Sequence, residues 1–260
     1  MSRKRKPLSL LRQQRLSWFA YSAENPTGIM FAVIFEVTPD PNRFNAYIDI
    51  AKSLRPELEG IVGFIENLRY KSTTRPGQLL SLSLWEDEKA LVRWRTREKH
   101  SAAQGRGRGE IFLDYHLRVG QVIETGGAQN KQEESRTSDQ ERFDETHVGE
   151  ATIVVLVDGL HVEPGGDLLG TDTLASRFGL DTHEMPPDLV AWDVMDAVIV
   201  PGDMILLSSW TNEGVADKFC ENVPDGLRYR KIRIIRDYGK YDRREAPQFY
   251  KDAHGQETFH

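Results

Sequence analysis

Trp94 and His100 are side chains of the kind that oxidative chemistry on a small organic molecule would use. Trp94 offers a flat apolar wall, and His100 offers an imidazole, whose pKa is easily tuned to near-neutral values for general-base work. On an unbroken helix of about 3.6 residues per turn, six residues correspond to roughly 600° of rotation, so the two side chains would lie on different faces. A structural interpretation is also open, in which Trp94 fills the core and His100 lies at a helix C-terminus, where positive charge is favourable.

His116 is the third candidate for a catalytic role. It falls on a predicted strand, where alternation directs it away from the side of Tyr115 and Leu117, and a lone strand histidine is also typical of a surface or an interface. A substrate pocket would combine aromatic walls with a few polar groups. The candidates for substrate binding are Phe64, Asn67, Tyr70, Trp85, Phe112 and Tyr115. Arg69 is a further polar candidate, and packing alone would also explain Trp85.

These residue types permit oxygenation without a metal. A dry pocket that ionises or hydrogen-bonds a phenol-like hydroxyl leaves an electron-rich anion, which can pass an electron to O2. The segments 161–167 and 179–188 contain histidine and acidic residues, but neither has two histidines at a helical or hairpin spacing. We therefore expect no metal and no cofactor.

A cluster of arginines surrounds the sequence GRGRGE. Such a cluster fits a phosphate or carboxylate clamp, because guanidinium groups bind these anions through two parallel hydrogen bonds. It fits equally a solvated helix face, since several glutamates lie nearby. The arginines concerned are Arg93, Arg95, Arg97, Arg106 and Arg108.

Composition narrows the classes of protein that the chain can represent. The 260 residues are 39% hydrophobic, with a net charge of −6 and one cysteine, Cys220. Residues 1–29 carry a net charge of +5, so the acidic remainder disfavours a nucleic-acid partner. No apolar run approaches the roughly 18 residues of a membrane span, and the single cysteine fits a reducing compartment. We expect a cytoplasmic protein whose partners are a small aromatic substrate and O2, with a homodimer as a further possibility.

The first half of the chain has the pattern of a βαββαβ unit. Apolar runs and turn residues predict strands at 31–37, 64–70, 79–85 and 115–123. A helix with Asn42 as its N-cap is predicted to follow the first strand and to kink or end at Pro56, and a second helix is predicted to begin at Glu86. The polar segment 125–149 is predicted to be a solvated linker.

The second half repeats this order in a degenerate form. Strands are predicted at 152–157, 189–200, 204–210 and 229–236, with helical stretches near 173–178 and at 213–220. The sequence LLSLSLWEDEKALVRW aligns with MILLSSWTNEGVADKF, which places Trp85 opposite Trp210, and YHLRVGQVI aligns with YRKIRIIRD. The second copy lacks a counterpart of residues 101–113.

The predicted fold class is α+β. Each βαββαβ unit forms a four-stranded antiparallel sheet with its helices on one face, and the uncovered face needs a partner sheet. Two such ferredoxin-like units in one chain are expected to close into an intrachain, pseudo-dimeric α+β barrel. The expected domains are a flexible arm at 1–29, a first unit at 30–124, the linker at 125–149, a second unit at 150–247 and a tail at 248–260.

The first unit resembles the antibiotic biosynthesis monooxygenase (ABM) family of the dimeric α+β-barrel superfamily. The resemblance covers residues 31–123 and is most specific from GFI at 63–65 through TRPGQLLSLSLWEDEKALVRWRTREKHSAAQ to DYHLRVGQVIE. Residues 233–247 are similar to the end of single-domain members. The resemblance implies a monooxygenase, although the family also contains haem-degrading oxygenases, isomerases and proteins with no known activity.

The haem-degrading relatives show what a haem site would require of this sequence. They use an asparagine on the first strand, a tryptophan on the second helix and a histidine ten residues later. Here FAVIFEV has no asparagine, Trp94 matches, and Gln104 stands where the histidine would be.

The expected function is therefore cofactor-independent oxidation of a small phenolic, quinol or polyketide-like compound in a pocket of the first unit. The second unit is expected to be structural. A haem-binding or haem-degrading protein and a non-catalytic ligand-binding or structural protein remain the alternatives.

Overall fold

A computed structural model describes residues 30–127, 135–136, 149–161, 178, 180, 186, 188–244 and 246. The predictions for the arm at 1–29 and the tail at 248–260 lie outside these residues. So do most of the linker, of the helical stretch near 173–178, and of the segments 161–167 and 179–188. No helix of the described ranges is both long and apolar enough to cross a bilayer.

The first half forms a four-stranded antiparallel sheet in the order β2-β3-β1-β4. Its strands are β1 (Met30–Pro39), β2 (Phe64–Ser72), β3 (Leu79–Trp85) and β4 (Phe112–Gly127). Because successive side chains of a strand point to opposite faces, the LLSLSLW sequence of β3 buries Leu80, Leu82 and Leu84 on one side and presents Ser81 and Ser83 on the other. The leucine face belongs to the interior core of the molecule.

The second half forms an equivalent sheet in the order β7-β8-β6-β9. Its strands are β6 (Ile153–His161), β7 (Leu189–Ala197), β8 (Asp203–Trp210) and β9 (Arg228–Gly239). A long junction of β4 with β9 and a short one of β2 with β7 close the eight strands into an antiparallel barrel. The short strand β5 (Ser135–Arg136) pairs with β4 outside the barrel. This closure confirms the pseudo-dimeric α+β barrel.

Helices cover the outer faces of the barrel. They are α1 (Phe44–Glu59), α2 (Glu88–Arg95), α3 (Glu98–Arg106) and, in the second half, α4 (Glu213–Glu221). A π-helical turn, Gly107–Ile111, connects α3 to β4. The predicted second helix of the first half is therefore two helices with a break between them.

The start and the end of α1 differ from the sequence-based expectation. A short 3-10 helix, Pro41–Arg43, precedes α1, and Asp40 caps it by accepting a hydrogen bond of 2.8 Å from the backbone N–H of Asn42. The N-cap of α1 itself is Arg43, not Asn42, and its side chain makes no capping hydrogen bond. The helix also continues past Pro56 to Glu59. A proline removes one N–H and strains one turn, and here it stands one turn before the natural end of the helix.

Two strands and a helix of the two halves correspond with a constant offset of 125 residues. Trp85 and Trp210 end β3 and β8, and their indole Nε1 atoms donate to the hydroxyls of Ser83 (3.0 Å) and Ser208 (2.9 Å). The last strands correspond with a different offset. Phe31 of β1 and Ile153 of β6 are equivalent, because they pair with Trp85 and Trp210. Four residues further along these strands, Phe35 pairs with Leu117 and Val157 pairs with Tyr229. The counterpart of Tyr229 is therefore Leu117 and not Tyr115. The alignment of YHLRVGQVI with YRKIRIIRD is thus two residues out of register.

Candidate functional site

A cavity of about 960 Å³ lies between the sheet of the first half and its helices. It is at the upper end of the size typical of small-molecule sites. The outward side chains of β1 to β4 form its floor, and α1, α2, α3 and the π-helical turn form its roof. Its apolar wall includes Val33, Phe35, Leu54, Leu58, Phe64, Leu91, Trp94, Ile111, Phe112, Leu117 and Val119.

Trp94 and His100 stack against each other in the wall of this cavity. Their ring centroids are 4.3 Å apart and the ring planes differ by 18°. The stacking is possible because α2 ends at Arg95 and Arg97 adopts an extended conformation before α3 begins. The two rings therefore share one face, which an unbroken helix would have prevented.

The imidazole of His100 is held neutral. Its Nδ1 atom lies 3.2 Å from the carbonyl oxygen of Trp94, and because a carbonyl only accepts, Nδ1 carries the hydrogen and Nε2 is the acceptor. Burial lowers the pKa of His100 to about 4, outweighing the hydrogen bonds to the backbone of Trp94 and Arg95. The ring stands in the first turn of α3, not at a helix C-terminus, and the positive end of the helix dipole also disfavours its protonation. At neutral pH His100 is thus a hydrogen-bond acceptor and a weak base.

A polar strip crosses the floor of the cavity on β2 and β3. Asn67 pairs with Ser83 and Arg69 pairs with Ser81, so the four side chains lie on one face. The Nδ2 of Asn67 donates to the hydroxyl of Ser81 (3.1 Å) and to the carbonyl of Leu82 (3.2 Å). The Nε of Arg69 is buried and has no hydrogen-bond partner.

The second half of the chain completes the cavity of the first. Arg236 and Tyr238 of β9, and Arg243 beyond it, line the wall, as do Ile199 and Val200 of the turn after β7. The guanidinium of Arg243 donates to the hydroxyl of Tyr115. Burial raises the pKa of Tyr238, although the charge of Arg243 opposes this.

Six of the nine predicted site residues have their side chains in the cavity wall: Phe64, Asn67, Trp94, His100, Phe112 and Tyr115. Tyr70 borders the cavity, but its side chain is 1% exposed and packs into the barrel interior. Trp85 does not line the cavity, since it is fully buried beneath Phe64 with ring centroids 5.4 Å apart.

His116 lies outside the cavity. Strand alternation directs Tyr115 and Leu117 outward and His116 toward the barrel end, where its Nε2 is 2.5 Å from Asp237 and its Nδ1 is 3.8 Å from Glu36. A catalytic role in this cavity is therefore not supported by its position.

Sequence reasoning did not find the residues that reach the cavity from the second half. The segment containing Arg236, Tyr238 and Arg243 was recognised as similar to a family C-terminus, but its return to β4 depends on long-range pairing. Of the arginine cluster, only Arg95 and Arg108 line the cavity. Arg93 donates to the carbonyl of Val62, and Arg106 lies 3.7 Å from Glu110 at the surface.

The second half carries apolar side chains at four positions that line the cavity in the first half. With the offset of 125 residues, Trp192, Val194, Leu206 and Phe219 stand at the positions of Asn67, Arg69, Ser81 and Trp94. Phe219 packs on Trp210 with ring centroids 5.1 Å apart and on Phe178 at 6.1 Å. Of the polar floor, the second half keeps only Ser208, the counterpart of Ser83, and its hydroxyl accepts a hydrogen bond from Trp210.

No group of three or more histidine, cysteine or acidic side chains suited to hold a metal ion occurs within the part of the chain that the structure describes.

Comparison with known proteins agrees with this architecture. Residues 30–106 match the family described as antibiotic biosynthesis monooxygenase. A Pyricularia oryzae protein named "Jasmonate monooxygenase ABM" is 50% identical over 224 residues, which are 86% of this chain and 100% of that protein. The crystal structure of an aldoxime dehydratase has a TM-score of 0.51 at 10% identity and covers 81% of this chain and 82% of its own, which shows a shared fold. An anthrone oxidase-like protein has a TM-score of 0.35 at 12% identity, over 84% of this chain and 96% of its own. The two sequence matches support a monooxygenase that acts on a small molecule with O2, and the chain belongs to the antibiotic biosynthesis monooxygenase family.

Proposed function

We propose that the first-half cavity oxygenates a small, largely apolar carboxylic acid of the jasmonate type. The observation that carries this proposal is the cavity itself, in which the Trp94–His100 stack forms one wall above a mostly apolar surface. A purely structural protein would instead have large side chains filling this space, as Phe219 and Trp192 do in the second half. We further propose that catalysis is confined to the first half.

The choice of substrate rests on the relative named for jasmonate, which this chain matches along that protein's whole length. Jasmonate is a cyclopentanone that carries one carboxylate and an unsaturated hydrocarbon chain, so it is an apolar body with a single anionic end. The volume and the apolar wall of the cavity suit such a body, and its floor holds one cationic side chain, Arg69.

A phenolic, quinol or polyketide-like substrate is the second candidate, and the tautomer of His100 favours it. The Nε2 acceptor beside Trp94 is suited to receive the hydrogen of a substrate hydroxyl. The pKa of about 4 makes full proton transfer to His100 unfavourable at neutral pH, so its role is to orient the hydroxyl rather than to act as a strong base.

The two substrate classes differ in their electron balance. Insertion of one atom of O2 into a C–H bond leaves the second atom to be reduced to water, which takes two electrons and two protons from a donor such as NADPH. Oxygenation of a phenol to a quinone, or of a quinol to a hydroxyquinone, places one atom of O2 in the product and releases the other as water, and the substrate itself supplies all the electrons. Cofactor independence is therefore proposed only for the second class.

The test is turnover under 18O2 with mass spectrometry of the product. Jasmonate is offered with and without NADPH, and a quinol panel is offered without a reductant. We expect one 18O atom per product molecule, and we expect His100→Ala and Trp94→Ala each to lower kcat/KM by about tenfold or more, as loss of a substrate-positioning contact does. His116→Gln is the matched histidine control because its side chain lies outside the cavity.

Absence of labelled product from both substrate classes, or equal rates for the wild type and both cavity variants, would contradict the proposal. A haemin titration distinguishes the remaining alternative. A Soret shift that His100→Ala abolishes would favour a haem protein over the cofactor-free reaction.

A further inference from the structure

We infer that Arg69 binds the carboxylate of the substrate, so that the cavity selects an apolar monoanionic acid over its neutral ester. This inference rests on the proposed function only in taking the cavity of the first half as the substrate site. It assigns to one residue of the floor a role in specificity.

The surroundings of Arg69 leave its charge uncompensated. The side chain lines the cavity, its Nε is buried without a hydrogen-bond partner, and no acidic side chain pairs with it within the described ranges. A guanidinium stays charged at any physiological pH, and placing it in a half-buried site without a counter-ion is unfavourable. An anionic ligand group would remove this penalty.

Ser81 provides a second donor beside Arg69. The two residues are direct partners across β2 and β3, so their Cβ atoms are expected to lie about 5 Å apart. The hydroxyl oxygen of Ser81 accepts a hydrogen bond from Asn67, which leaves the hydroxyl hydrogen to donate to a ligand. A guanidinium and a hydroxyl donor side by side suit the two oxygens of a carboxylate.

Other cations of the cavity are engaged or placed differently. Arg95 and Arg236 also line it, and although the buried Nε of Arg95 makes no hydrogen bond, each of the two residues takes part in a further interaction. Arg55 forms a 2.7 Å ion pair with Glu59, and Arg243 donates to Tyr115. Arg108 is the competing candidate, because it lines the cavity from the π-helical turn and is half-buried. Its Nε, unlike that of Arg69, is not among the buried atoms that lack a hydrogen-bond partner.

The barrel itself does not require this charge. Val194 and Leu206 of the second half occupy the positions of Arg69 and Ser81 and are buried. The fold is thus built with apolar residues at these two places, and the polar pair occurs where the cavity is open. This difference between the halves is the expected pattern for a ligand-binding pair.

The experiment compares jasmonate with its methyl ester as ligands of the full chain. Affinities are measured by isothermal titration calorimetry and, where turnover occurs, by kcat/KM. We expect the wild type to prefer the acid. Arg69→Met is expected to weaken acid binding by about 10- to 100-fold, the effect of losing a charge-assisted hydrogen bond, and to leave ester binding within about threefold.

Arg55→Met and Arg108→Met are the matched controls, and both are expected to retain the preference for the acid. Arg69→Val, the residue found in the second half, repeats the test should the methionine variant not fold. Ser81→Ala is expected to reduce the preference for the acid to a smaller extent.

An unchanged ratio of acid to ester affinity in both Arg69 variants would overturn the inference, as would a wild type without preference or a loss of preference in Arg108→Met. The outcomes separate this inference from the proposed function. If jasmonate binds in a way that depends on Arg69 but is not turned over, only the monooxygenase proposal for this substrate is contradicted. If jasmonate is turned over but the ratio of acid to ester affinity is unchanged in the Arg69 variants, only the role of Arg69 is contradicted.

Discussion

At the scale of single residues, the stacked pair of Trp94 and His100 links the packing of the site to its protonation state. Burial lowers the pKa of His100 from 6.5 to about 4, so the folded chain resists a proton that the unfolded chain accepts. Above pH 6.5 the imidazole is neutral in both states and makes no pH-dependent contribution. Below pH 4 it is protonated in both states.

The resulting prediction concerns stability between these limits. As the pH falls from about 6.5 to about 4, the free energy of unfolding should fall by up to about 3 kcal/mol on account of His100. His100→Phe keeps a ring against Trp94 and should remove this part of the pH dependence. Urea unfolding of both proteins at several pH values in this interval measures it, and parallel pH profiles for the two would contradict the assignment.

At the scale of elements, the turn between α1 and β2 sets the distance between α2 and the sheet. Gly63 has a φ of +86°, and a β-carbon added there would lie 2.7 Å from the Cβ of Ala90 in α2. The carbonyl of Gly63 also accepts a hydrogen bond of 2.8 Å from the backbone of Glu86. Glycine is therefore needed here for its backbone conformation and for its lack of a side chain.

Gly77 separates the effect of the backbone conformation from the effect of the close contact. Its φ is +84°, but nothing lies within 4 Å of an added β-carbon. Gly77→Ala should lower the free energy of unfolding by about 1 kcal/mol through backbone strain alone. Gly63→Ala should lower it by about 2 to 4 kcal/mol because the clash with α2 adds to the strain. Chemical denaturation measures the free energy of unfolding of both variants. Equal losses would contradict the prediction, because they would show that α2 shifts to accommodate the new methyl group without loss of stability.

At the scale of the whole molecule, a network of ion pairs and hydrogen bonds around Glu36 and Asp193 ties the two halves together at one end of the barrel. Arg118 of β4 lies 2.6 Å from Glu36 of β1, with side chains 3% and 7% exposed, and also donates to the hydroxyl of Ser209 in the second half (2.8 Å). Arg75 lies 3.2 Å from Glu36 and 2.8 Å from Asp193, which is fully buried in β7. These contacts join β1, β4, β7 and β8 across the junctions between the halves.

Removal of one partner should therefore destabilise both halves together. Glu36→Leu leaves the guanidinium of Arg118 buried without its carboxylate and should cost about 3 to 5 kcal/mol. The double variant Glu36→Leu/Arg118→Met should recover much of this loss, since neither charge is then buried. We expect one cooperative thermal transition in every case. A double variant no more stable than the single one would show that the ion pair itself contributes net stability.

Closure of the barrel also bears on self-association. Each of its eight strands is paired on both sides, which limits the edges open to a second copy, although β2 and β7 meet over only three residue pairs. A homodimer stays a prediction. The cytoplasmic location and the domain boundaries stay predictions as well.

The sequence by itself determined the elements of this protein, because their signals are local. The alternation of leucine and serine identified β3 with its correct bounds, and the matching of Trp85 with Trp210 identified two halves with corresponding strands. The residue types along β2, α2 and α3 gave Asn67, Trp94 and His100 as site candidates, and their side chains line one cavity. Their role in binding or catalysis stays a prediction. Periods of two and 3.6 residues are short enough to be seen along the chain.

Only the tertiary structure decided which of these residues meet. The break after α2 brought His100 onto Trp94, and the pairing of β4 with β9 carried Arg236 and Tyr238 into a cavity more than a hundred residues away in sequence. Strand alternation and barrel closure turned His116 away from that cavity, and strand pairing placed Arg69 beside Ser81 on the cavity floor. Such outcomes depend on long-range register and burial, which a local pattern does not encode.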